Sequence, residues 1–292
     1  MRGKSYILKI QKLFKCFKFK YFLSAIGYTS RPDFIIIGAQ KAGTTSLFNI
    51  LNQHSLIKGS NKKEIHFFDD DHWYSHNRIY QYHTYFPLPH NVKRGSKVFE
   101  TTPIYIFHPE AAYRLHKYNP RIKLILILRN PTERAFSSWT MYHHHFKTGK
   151  DSYFHDPRSF TEAVQDDLDK LEKITFSEDR ISYVKRGIYH YQIEEYLKYF
   201  PKEQILFLEN SELKNQFEKT SQKIQSFVGV PFEKLNMTEL NKGKINDKEL
   251  YLNDIVKLQN FYAPHNKKLF KLINKEFDWN QSNKESDIAN TP

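Results

Sequence analysis

The turn at residues 39–44 holds the residue types that bind a phosphate-like anion. Lys41 supplies a mobile positive charge, and Gly43 lets the backbone approach a ligand closely. The turn joins an apolar strand pattern to a helical pattern, so the N–H groups that open the helix face the same space. In a Walker A loop the lysine follows the second glycine, whereas here it precedes the only one. The turn therefore predicts an anion site without magnesium–nucleotide chemistry, and an ordinary strand-to-helix turn with a chance lysine stays the alternative.

Three short apolar runs predict the strands that position this turn and its neighbours. They are Asp33–Gly38, Lys123–Leu128 and Gln204–Leu208. Unbroken β-branched and leucine-rich runs of this length are typical of parallel strands buried on both faces. A helical pattern follows each strand: Thr45–Asn52, a helix that begins at Pro131, and Asn215–Val228.

Strands that alternate with helices predict an α/β fold. We expect a single P-loop-like domain in which helices flank a central parallel sheet, with insertions over the carboxyl edge of the sheet. The insertions are the polar, aromatic stretches 69–97 and 148–179, the second with a helix around Asp166–Asp169. Open sheets of this class bind ligands at that edge, so we expect the insertions to hold an acceptor substrate.

Composition permits a sizeable core and favours anionic partners. With 39% hydrophobic and 16% aromatic residues, the 292-residue chain is not disordered throughout. The 45 Lys and Arg residues exceed the 32 Asp and Glu residues by 13, which favours nucleotides, acidic glycans, phospholipid surfaces or nucleic acid as partners. The one cysteine, Cys16, excludes an intrachain disulfide and a cysteine-based zinc site, and it fits a reducing compartment.

The chain divides into a basic N-terminal segment at 1–31, a domain at 32–280 and a polar tail at 281–292 that we expect to be disordered. As a helix, the first segment would place apolar side chains on one face and lysines on the other, the apolar ones being Ile10, Leu13, Phe14, Phe17 and Tyr21. That pattern is typical of a helix on an anionic membrane surface, and a helix that covers the domain's own surface is the equal alternative. The longest uncharged stretch, 21–30, is about half the length of a membrane span.

Several motifs in a fixed order resemble one known family. Gln40–Leu47 resembles the 5'-phosphosulfate loop of the sulfotransferases that use 3'-phosphoadenosine-5'-phosphosulfate (PAPS). Lys63–Asp69 is similar to the next motif of the heparan-sulfate-type glycan sulfotransferases, and Leu128–Ser137 is similar to their 3'-phosphate segment. The resemblance spans Pro32–Trp279 and continues through Phe99–Tyr105, Arg186–Tyr189, Asn241–Lys244 and Phe261–Asn266.

The resemblance implies roles on the acceptor side. Glu64 would be the base that takes the acceptor proton, and Lys41 would stabilise the leaving phosphate. His66 would hold the acceptor or share in proton handling, Asp69 would contact the acceptor or fix His66, and Lys63 belongs to the same substrate segment. From the residues alone, two alternatives stay open: an ion pair of Glu64 with Lys63 or Lys62 on a solvated loop, and a structural role for His66.

The resemblance also implies a donor site. Its 5'-phosphosulfate loop comprises Lys41, Ala42, Gly43, Thr44, Thr45 and Ser46. Arg129 and Ser137 match the family's pair for the 3'-phosphate, which suits an arginine fork and a hydroxyl. Lys242-Gly243-Lys244 is similar to a late loop that closes over that phosphate. The alternatives are a salt bridge for Arg129, a plain helix surface for Ser137 and a solvated charge run for the late loop, while Arg134 is expected in packing or in an ion pair with Glu133.

One departure from the family pattern concerns the acceptor. Many heparan-sulfate enzymes have a lysine after the glutamate of the Phe99–Glu100 motif, where this sequence has Thr101. The departure leaves the donor site untouched and the acceptor class open, and Thr101 stays among the residues expected near the substrate. His143–His145 predicts no metal site, because consecutive helical residues point in different directions and the family needs no metal.

The sequence thus predicts an enzyme, a sulfotransferase that moves a sulfuryl group from PAPS to a hydroxyl or amine of a carbohydrate and leaves 3'-phosphoadenosine-5'-phosphate (PAP). A lipid-linked or small-molecule acceptor is the alternative. A basic nucleic-acid-binding protein is the alternative from another class, and it is disfavoured because the lysines are diffuse and no binding motif is present. We expect a glycan or other acceptor as partner, no nucleic acid, a cytoplasmic location and peripheral contact of residues 1–31 with an anionic membrane.

Overall fold

The computed structural model describes residues 18–76, 78–149, 155–171, 181–238 and 248–279. Residues 1–17, the loop with Lys242, Gly243 and Lys244, and the tail 281–292 lie outside the described residues. The roles assigned to them therefore stay predictions.

A five-stranded parallel sheet forms the centre of the domain. Its strands are β1 (Phe34–Gly38), β2 (Ile57–Gly59), β3 (Lys97–Thr101), β4 (Lys123–Leu128) and β5 (Ile205–Glu209). Their order is β2-β3-β1-β4-β5, and every neighbouring pair is parallel. Strand β1 therefore lies in the middle, where Ile36 pairs with Thr101 of β3 and with Ile125 of β4. This confirms the predicted α/β fold.

The three predicted strands correspond to β1, β4 and β5, with ends that agree within one residue. Two further strands were not predicted. Strand β2 has three residues, too few for a pattern, and β3 combines the polar residues Lys97, Glu100 and Thr101 with only two apolar ones. Because Glu100 and Thr101 are buried, their polarity hid a strand that packs at the centre of the sheet.

Helices lie between the strands and in the insertions. Those between β1 and the start of β4 are α1 (Thr44–Leu51), α2 (Asp71–Ser75), α3 (Ile79–His83) and α4 (Ala111–Tyr118). Those that follow are α5 (Pro131–Lys147), α6 (Phe160–Asp169), α7 (Tyr189–Leu197), α8 (Asn210–Asn215), α9 (Phe217–Val228) and α10 (Leu252–Ile273). The predicted insertion helix is α6, and the predicted Asn215–Val228 helix is α9, with the separate α8 before it.

Helix α5 begins as the sequence predicts. Pro131 is its first residue, and the Asn130 side chain accepts from the N–H groups of Thr132 and Glu133 at 3.0 and 3.4 Å. A proline at this position loses no hydrogen bond, and an asparagine cap satisfies two of the N–H groups that a helix start leaves free. The segment after β4 therefore starts at a defined place.

Two apolar clusters hold the fold. The larger surrounds the sheet, and the smaller gathers α5, α6 and α10 around Phe136, Trp139, Phe160 and Tyr262. Helix α5 begins at the end of β4 and contributes to the smaller cluster, so the segment that carries Arg129 and Ser137 is fixed at both ends. Among the residues that the structure describes, none of the helices has the length and apolar character needed to cross a bilayer.

Candidate active site

The turn after β1 forms a cradle at the start of α1. Gly43 has a φ of 99° and precedes the first helical residue, and a Cβ atom there would lie 2.7 Å from Nδ2 of Asn210. That Nδ2 donates to the carbonyl oxygen of Ala42 at 2.8 Å, so the amide fixes the turn from the end of β5. Helix starts leave their first N–H groups without an acceptor inside the helix, and here these belong to Thr44, Thr45 and Ser46. The loop therefore suits an anion at a helix N-terminus.

Lys41 lies within this cradle among other positive charges. Its Nζ contacts Sδ of Met141 at 3.4 Å. Burial lowers the pKa of Lys41, the positive charges of Arg129 and Arg134 lower it further, and the negative charge of Glu64 acts in the opposite direction. Lys41, Glu64 and the arginines after β4 are thus close enough to affect one another electrostatically.

Arg129 ties the end of β4 to the loop after β1. Its Nε and Nη2 donate to Oε2 of Glu133 at 3.1 and 3.0 Å, and Nη1 donates to the carbonyl oxygen of Lys41 at 3.3 Å. The Tyr189 hydroxyl donates to the carbonyl oxygen of Arg129 at 2.9 Å. The salt bridge offered above as the alternative role of Arg129 is present, with Glu133 as partner. Of the two roles expected for Arg134, packing is present, because the side chain is fully buried, and the ion pair with Glu133 is absent, because Glu133 pairs with Arg129.

Ser137 lies on the half-buried side of α5. Residues four apart lie on the same face of a helix, so Ser137 follows Glu133 along the face that Arg129 contacts. The binding of one phosphate by Arg129 and Ser137 together stays a prediction.

Two buried arginines lie beneath the loop. Arg134 is fully buried and donates through Nη2 to the carbonyl oxygen of Tyr183, while its Nε and Nη1 have no hydrogen-bond partner in the described part of the chain. Arg186 donates to Oε1 of Gln40 at 2.9 Å and lies 4.8 Å from the centre of the Phe107 ring. Burial lowers the pKa of Arg186 to about 10. The positive charges of Arg134 and Arg186 thus lie on the interior side of the anion cradle.

The segment after β2 carries the acceptor-side residues on an unusual backbone. Glu64 and His66 have φ values of 58° and 62°, and the Glu64 side chain is 42% exposed. Nζ of Lys63 contacts Oε1 of Glu64, and Nε2 of His66 lies 3.8 Å from Oε2 of Glu64. The ion pair that was the alternative role of Glu64 is therefore present in the structure.

Asp69 orients His66. Its Oδ2 lies 2.7 Å from Nδ1 of His66. Burial by itself would lower the pKa of His66, but the hydrogen bond and charge of Asp69, with the charge of Glu64, raise it above its usual value. Of the two roles expected for Asp69, the fixing of His66 is present in the geometry.

Left-handed backbone marks the predicted catalytic residues. Among described residues other than glycine, φ is positive at Lys41, Glu64, His66 and Asn274. Side chains with a Cβ rarely adopt this conformation, and such residues cluster at active sites. Three of the four are the residues chosen from the sequence for catalysis, which is an independent indication that the loops after β1 and β2 form one site.

Thr101 lies beneath the Glu64 loop. Its side chain is fully buried, its hydroxyl has no partner in the described part of the chain, and its carbonyl oxygen accepts the N–H of Glu64 at 2.9 Å. Thr101 thus supports the loop through the backbone.

Several residues that shape the site were not singled out as site residues from the sequence: Glu100, Arg134, Arg186 and Asn210. A glutamate inside a buried strand and an arginine on a buried helix face were the available signals, because both contradict the apolar pattern around them. No comparable signal marks Asn210, whose role depends on how the end of β5 approaches the loop after β1. In the described ranges, no three histidine, cysteine or acidic side chains gather as a metal site would require.

Comparison with known proteins places this architecture in a recognised group. The family described as "Sulfotransferase domain" matches residues 31–286. Heparan sulfate glucosamine 3-O-sulfotransferase 5 of Mus musculus is 28% identical over 278 residues, which cover 85% of this chain and 74% of that protein. Bifunctional heparan sulfate N-deacetylase/N-sulfotransferase 3 of Homo sapiens is 29% identical over 205 residues, which cover 68% of this chain and 22% of that protein. The crystal structure of a sulfotransferase from Alicyclobacillus acidocaldarius superimposes with a TM-score of 0.65 at 26% identity, over 86% of this chain and 99% of that one.

Proposed function

The chain belongs to the sulfotransferase domain family and is a sulfotransferase, and from this premise we propose that it transfers a sulfuryl group from PAPS to a hydroxyl or amine of a carbohydrate, with Glu64 as the base. The carbohydrate acceptor is carried over from relatives whose names specify heparan sulfate. One observation supports the assignment of roles above all others. Lys41 and Glu64 come from different strand ends, lie within electrostatic reach of each other and share the left-handed backbone.

The residues of the loop after β1 fit the donor. Gly43 has no side chain, so a phosphate can approach the start of α1. A Cβ atom at this position would meet Asn210. Lys41, with the buried charge of Arg134 behind it, would attract the phosphosulfate end, and Arg129 with Ser137 would bind the 3'-phosphate. When bound, PAPS supplies a sulfuryl group on a phosphate leaving group.

On the acceptor side, Glu64 takes the proton of the attacking hydroxyl or amine. The acceptor atom then forms a bond to sulfur while the bond from sulfur to the phosphate oxygen breaks, and PAP leaves with the electron pair. Lys41 stabilises the negative charge that develops on that oxygen, because its ammonium is already held near the cradle. His66, oriented by Asp69, holds the acceptor beside Glu64.

A lipid-linked or small-molecule acceptor is the second candidate, and Thr101 is the residue that favours it. Its position carries a lysine in many heparan-sulfate enzymes, and here the side chain is short and buried. Acceptor specificity that depends on that lysine in the heparan-sulfate enzymes would therefore differ in this protein. Binding of the donor would not differ.

An acceptor screen tests the proposed function. Purified protein with PAPS labelled on sulfur is incubated with heparan-type glycans, small phenols and lipids, and PAP binding is measured by calorimetry in parallel. We expect label in a glycan together with PAP binding. Label only in a lipid or a phenol would select the alternative acceptor, and protein that binds nucleic acid but not PAP would refute the enzyme assignment.

We further propose a reducing, cytoplasmic location with peripheral membrane contact and no nucleic-acid partner. The single cysteine in the chain supports the reducing compartment. Fractionation of cells that express the tagged full chain tests the location, and recovery from an oxidising compartment would contradict it.

A further inference from the structure

The helical segment at residues 18–25 and the turn after it present an apolar face to solvent. Phe19, Phe22 and Ile26 follow one another at spacings of three and four, which places them on one side of a helix. They are 58%, 59% and 61% exposed, the values of a surface that none of the described residues covers. The observed apolar face thus differs from the predicted one, whose members other than Tyr21 lie outside the described residues.

The opposite side of this segment is attached to the domain. Ser24 is buried, and Nζ of Lys20 donates to the carbonyl oxygens of Thr84 and Phe86 at 3.4 and 3.3 Å. The segment is therefore held by polar contacts, with its apolar side chains turned outward. This orientation is the reverse of that expected for a helix that only covers the domain surface.

Two tyrosines of the same segment contact neighbouring elements. The Tyr21 and Tyr80 rings meet edge to face at 6.3 Å, and the Tyr28 hydroxyl lies 3.0 Å from Nδ1 of His90. Fourteen large apolar side chains are exposed in the described residues. Five of them lie within residues 19–28 and a sixth, Tyr80, contacts Tyr21, and we call these six the N-terminal apolar patch: Phe19, Tyr21, Phe22, Ile26, Tyr28 and Tyr80. Such concentration indicates a contact surface rather than scattered exposure.

The charge of the described residues beside the patch selects its partner. Residues 18–32 contain no aspartate or glutamate, and their basic residues are Lys18, Lys20 and Arg31. Lys93 and Arg94, both exposed, come directly after the turn that carries His90. A second copy of the chain would bring the same basic segment against this one, and like charges oppose that contact. An anionic lipid surface satisfies both the apolar and the basic part.

We propose that the N-terminal apolar patch lies on an anionic bilayer, with its aromatic and aliphatic side chains at the boundary of headgroups and acyl chains. This inference deepens the peripheral membrane contact proposed above by assigning it to named side chains, and it does not depend on the transferase function. The proposal would place the enzyme at a membrane surface.

Vesicle sedimentation with matched variants tests the patch. The full chain is mixed with vesicles of phosphatidylcholine alone or with about a third phosphatidylglycerol, at low and high salt. The variant Phe19→Ser/Phe22→Ser removes two patch side chains, and Leu252→Ser/Val256→Ser removes two equally exposed apolar side chains elsewhere on a helix. We expect the wild type and the second variant to sediment with the anionic vesicles at low salt, and the first variant to lose at least about ten-fold in affinity.

Three outcomes would overturn the proposal. They are no sedimentation of the wild type, equal loss in both variants, and sedimentation of Phe19→Ser/Phe22→Ser at the wild-type level. Self-association of the wild type without vesicles that is lost in this variant would instead assign the patch to contact between copies. Circular dichroism confirms that each variant is folded.

A separate observation concerns a buried carboxylate that the proposed reaction does not use. Glu100 is fully buried in β3. Its Oε1 accepts from the hydroxyls of Tyr82 and Tyr105 at 2.7 and 3.2 Å, and its Oε2 accepts from the Thr102 hydroxyl at 2.8 Å. In the described structure the carboxylate has hydroxyl donors and no cation, an arrangement that costs free energy to bury.

Tyr105 connects this carboxylate to the loop of the proposed base. Its hydroxyl oxygen accepts the N–H groups of Phe67 and Phe68 at 3.1 and 3.4 Å. Because the hydroxyl proton goes to Glu100, the oxygen lone pairs are free to face those two amides. The N–H of Glu64 donates to the carbonyl oxygen of Thr101, so residues 64–68 are attached to β3 once directly and once through Tyr105 and Glu100.

We infer that Glu100 is a positioning residue, which acts through the Tyr105 hydroxyl to hold the loop of Glu64 in place. The loop needs such support because Glu64 and His66 adopt left-handed backbone that few side chains choose unaided. This inference rests on the proposed role of Glu64.

Two matched tyrosine variants test the connection. Tyr105→Phe and Tyr82→Phe each delete one hydroxyl that donates to Glu100, and both rings are buried, but only Tyr105 contacts the loop amides. We expect Tyr105→Phe to speed hydrogen exchange at the amides of Phe67 and Phe68 and to lower kcat at least about ten-fold, with an unchanged KM for PAPS. Tyr82→Phe should leave both amides protected and kcat near the wild-type value.

The exchange measurement separates this inference from the proposed function. If no acceptor is ever sulfated, the proposed function fails, while faster exchange in Tyr105→Phe alone would still support the positioning role. Equal exchange in both variants, or a fall in kcat that is the same for both, would refute it.

Discussion

At the scale of single residues, the charged side chains of the site have neighbours that a ligand can replace. Glu64 contacts Lys63, and Arg129 bonds to Glu133, whose side chain is 40% exposed. Half-exposed ion pairs contribute about 0–1 kcal/mol, so a phosphate or an acceptor can exchange for the internal partner at little cost. The ion pairs therefore do not argue against the roles proposed for Glu64 and Arg129.

Replacement of the proposed base should separate binding from chemistry. Glu64→Gln keeps the size of the side chain and removes its ability to accept a proton, so we expect turnover to fall by about 100-fold or more. PAP binding, measured by calorimetry, should be unchanged because Glu64 lies on the acceptor side. Glu218→Gln, on the exposed surface of α9, is the matched control and should retain full activity. Retained turnover in Glu64→Gln would assign the base elsewhere.

Arg129 and Glu133 should have opposite effects on PAP affinity. Arg129→Ala removes the guanidinium that would bind the 3'-phosphate, and loss of a charged hydrogen-bond partner costs about 1.5–3 kcal/mol. Glu133→Gln removes the carboxylate that bonds to Nε and Nη2 of Arg129, and with it a like charge near the phosphate. We therefore expect weaker binding in the first variant and tighter binding in the second, by calorimetry at one salt concentration. Weaker binding in both would show that Glu133 supports Arg129 rather than competes for it.

The sequence identified the candidate site residues that lie in motifs. It did not identify those that reach the site from other elements. Lys41, Glu64 and Arg129 stand at strand ends, where a residue type and its spacing are enough to suggest an anion or a proton. Arg134 and Asn210 reach the site only because α5 begins and β5 ends near the loop that follows β1, a tertiary relation that local pattern does not contain.

At the scale of elements, the turn before α1 requires a glycine for two separate reasons. Gly43→Ala imposes a left-handed φ on a residue with a Cβ and places that Cβ 2.7 Å from Asn210. Gly95→Ala is the matched control, since Gly95 has a φ of 83° and nothing lies within 4 Å. We expect both to lower the midpoint of thermal unfolding and only Gly43→Ala to weaken PAP binding. Equal PAP affinity in the two variants would mean that the cradle does not hold the donor.

Strand β3 should make stability depend on pH. Burial raises the pKa of Glu100 from 4.5 to about 7, against the hydrogen bonds from Tyr82, Thr102 and Tyr105. A carboxyl group with a raised folded pKa contributes stability that is complete below pH 4.5 and is lost as the pH rises through 7. Urea unfolding should therefore show Glu100→Gln gaining free energy of unfolding relative to the wild type between pH 4.5 and 7.5. A difference that does not change with pH would contradict this assignment.

The same strand explains where prediction from pattern stops. Strands β1, β4 and β5 are apolar except for one charged end residue in each of β4 and β5, and their ends were predicted within one residue, because burial on both faces leaves a continuous signal. Strand β3 is also interior but carries Glu100, whose buried carboxylate accepts hydrogen bonds from three hydroxyls, and the buried polar residue Thr101. The polar residues of β3 therefore removed the apolar pattern from which the other strands were predicted.

At the scale of the whole molecule, Trp279 at the end of the described residues packs against the segment that carries the proposed donor site. Trp279 is buried, and its ring packs near Tyr189 and Phe270 at centroid distances of 6.0 and 5.4 Å. Its carbonyl oxygen accepts from Nδ2 of Asn130, the residue that caps α5 and follows Arg129. The C-terminal residues therefore fix the segment that we propose for the 3'-phosphate, although they lie 149 positions from Asn130 in sequence.

Trp279→Ala should accordingly affect both stability and donor binding. Loss of a buried tryptophan costs about 3–5 kcal/mol of unfolding free energy, measured by urea unfolding. We also expect weaker PAP binding, because Tyr189, which packs on Trp279, donates to the carbonyl oxygen of Arg129. Trp279→Phe keeps an aromatic ring at the same place and should recover most of both quantities. Lost stability with unchanged PAP affinity would limit Trp279 to the core, since the placement of Arg129 would then be set by β4 and the cap of α5 alone.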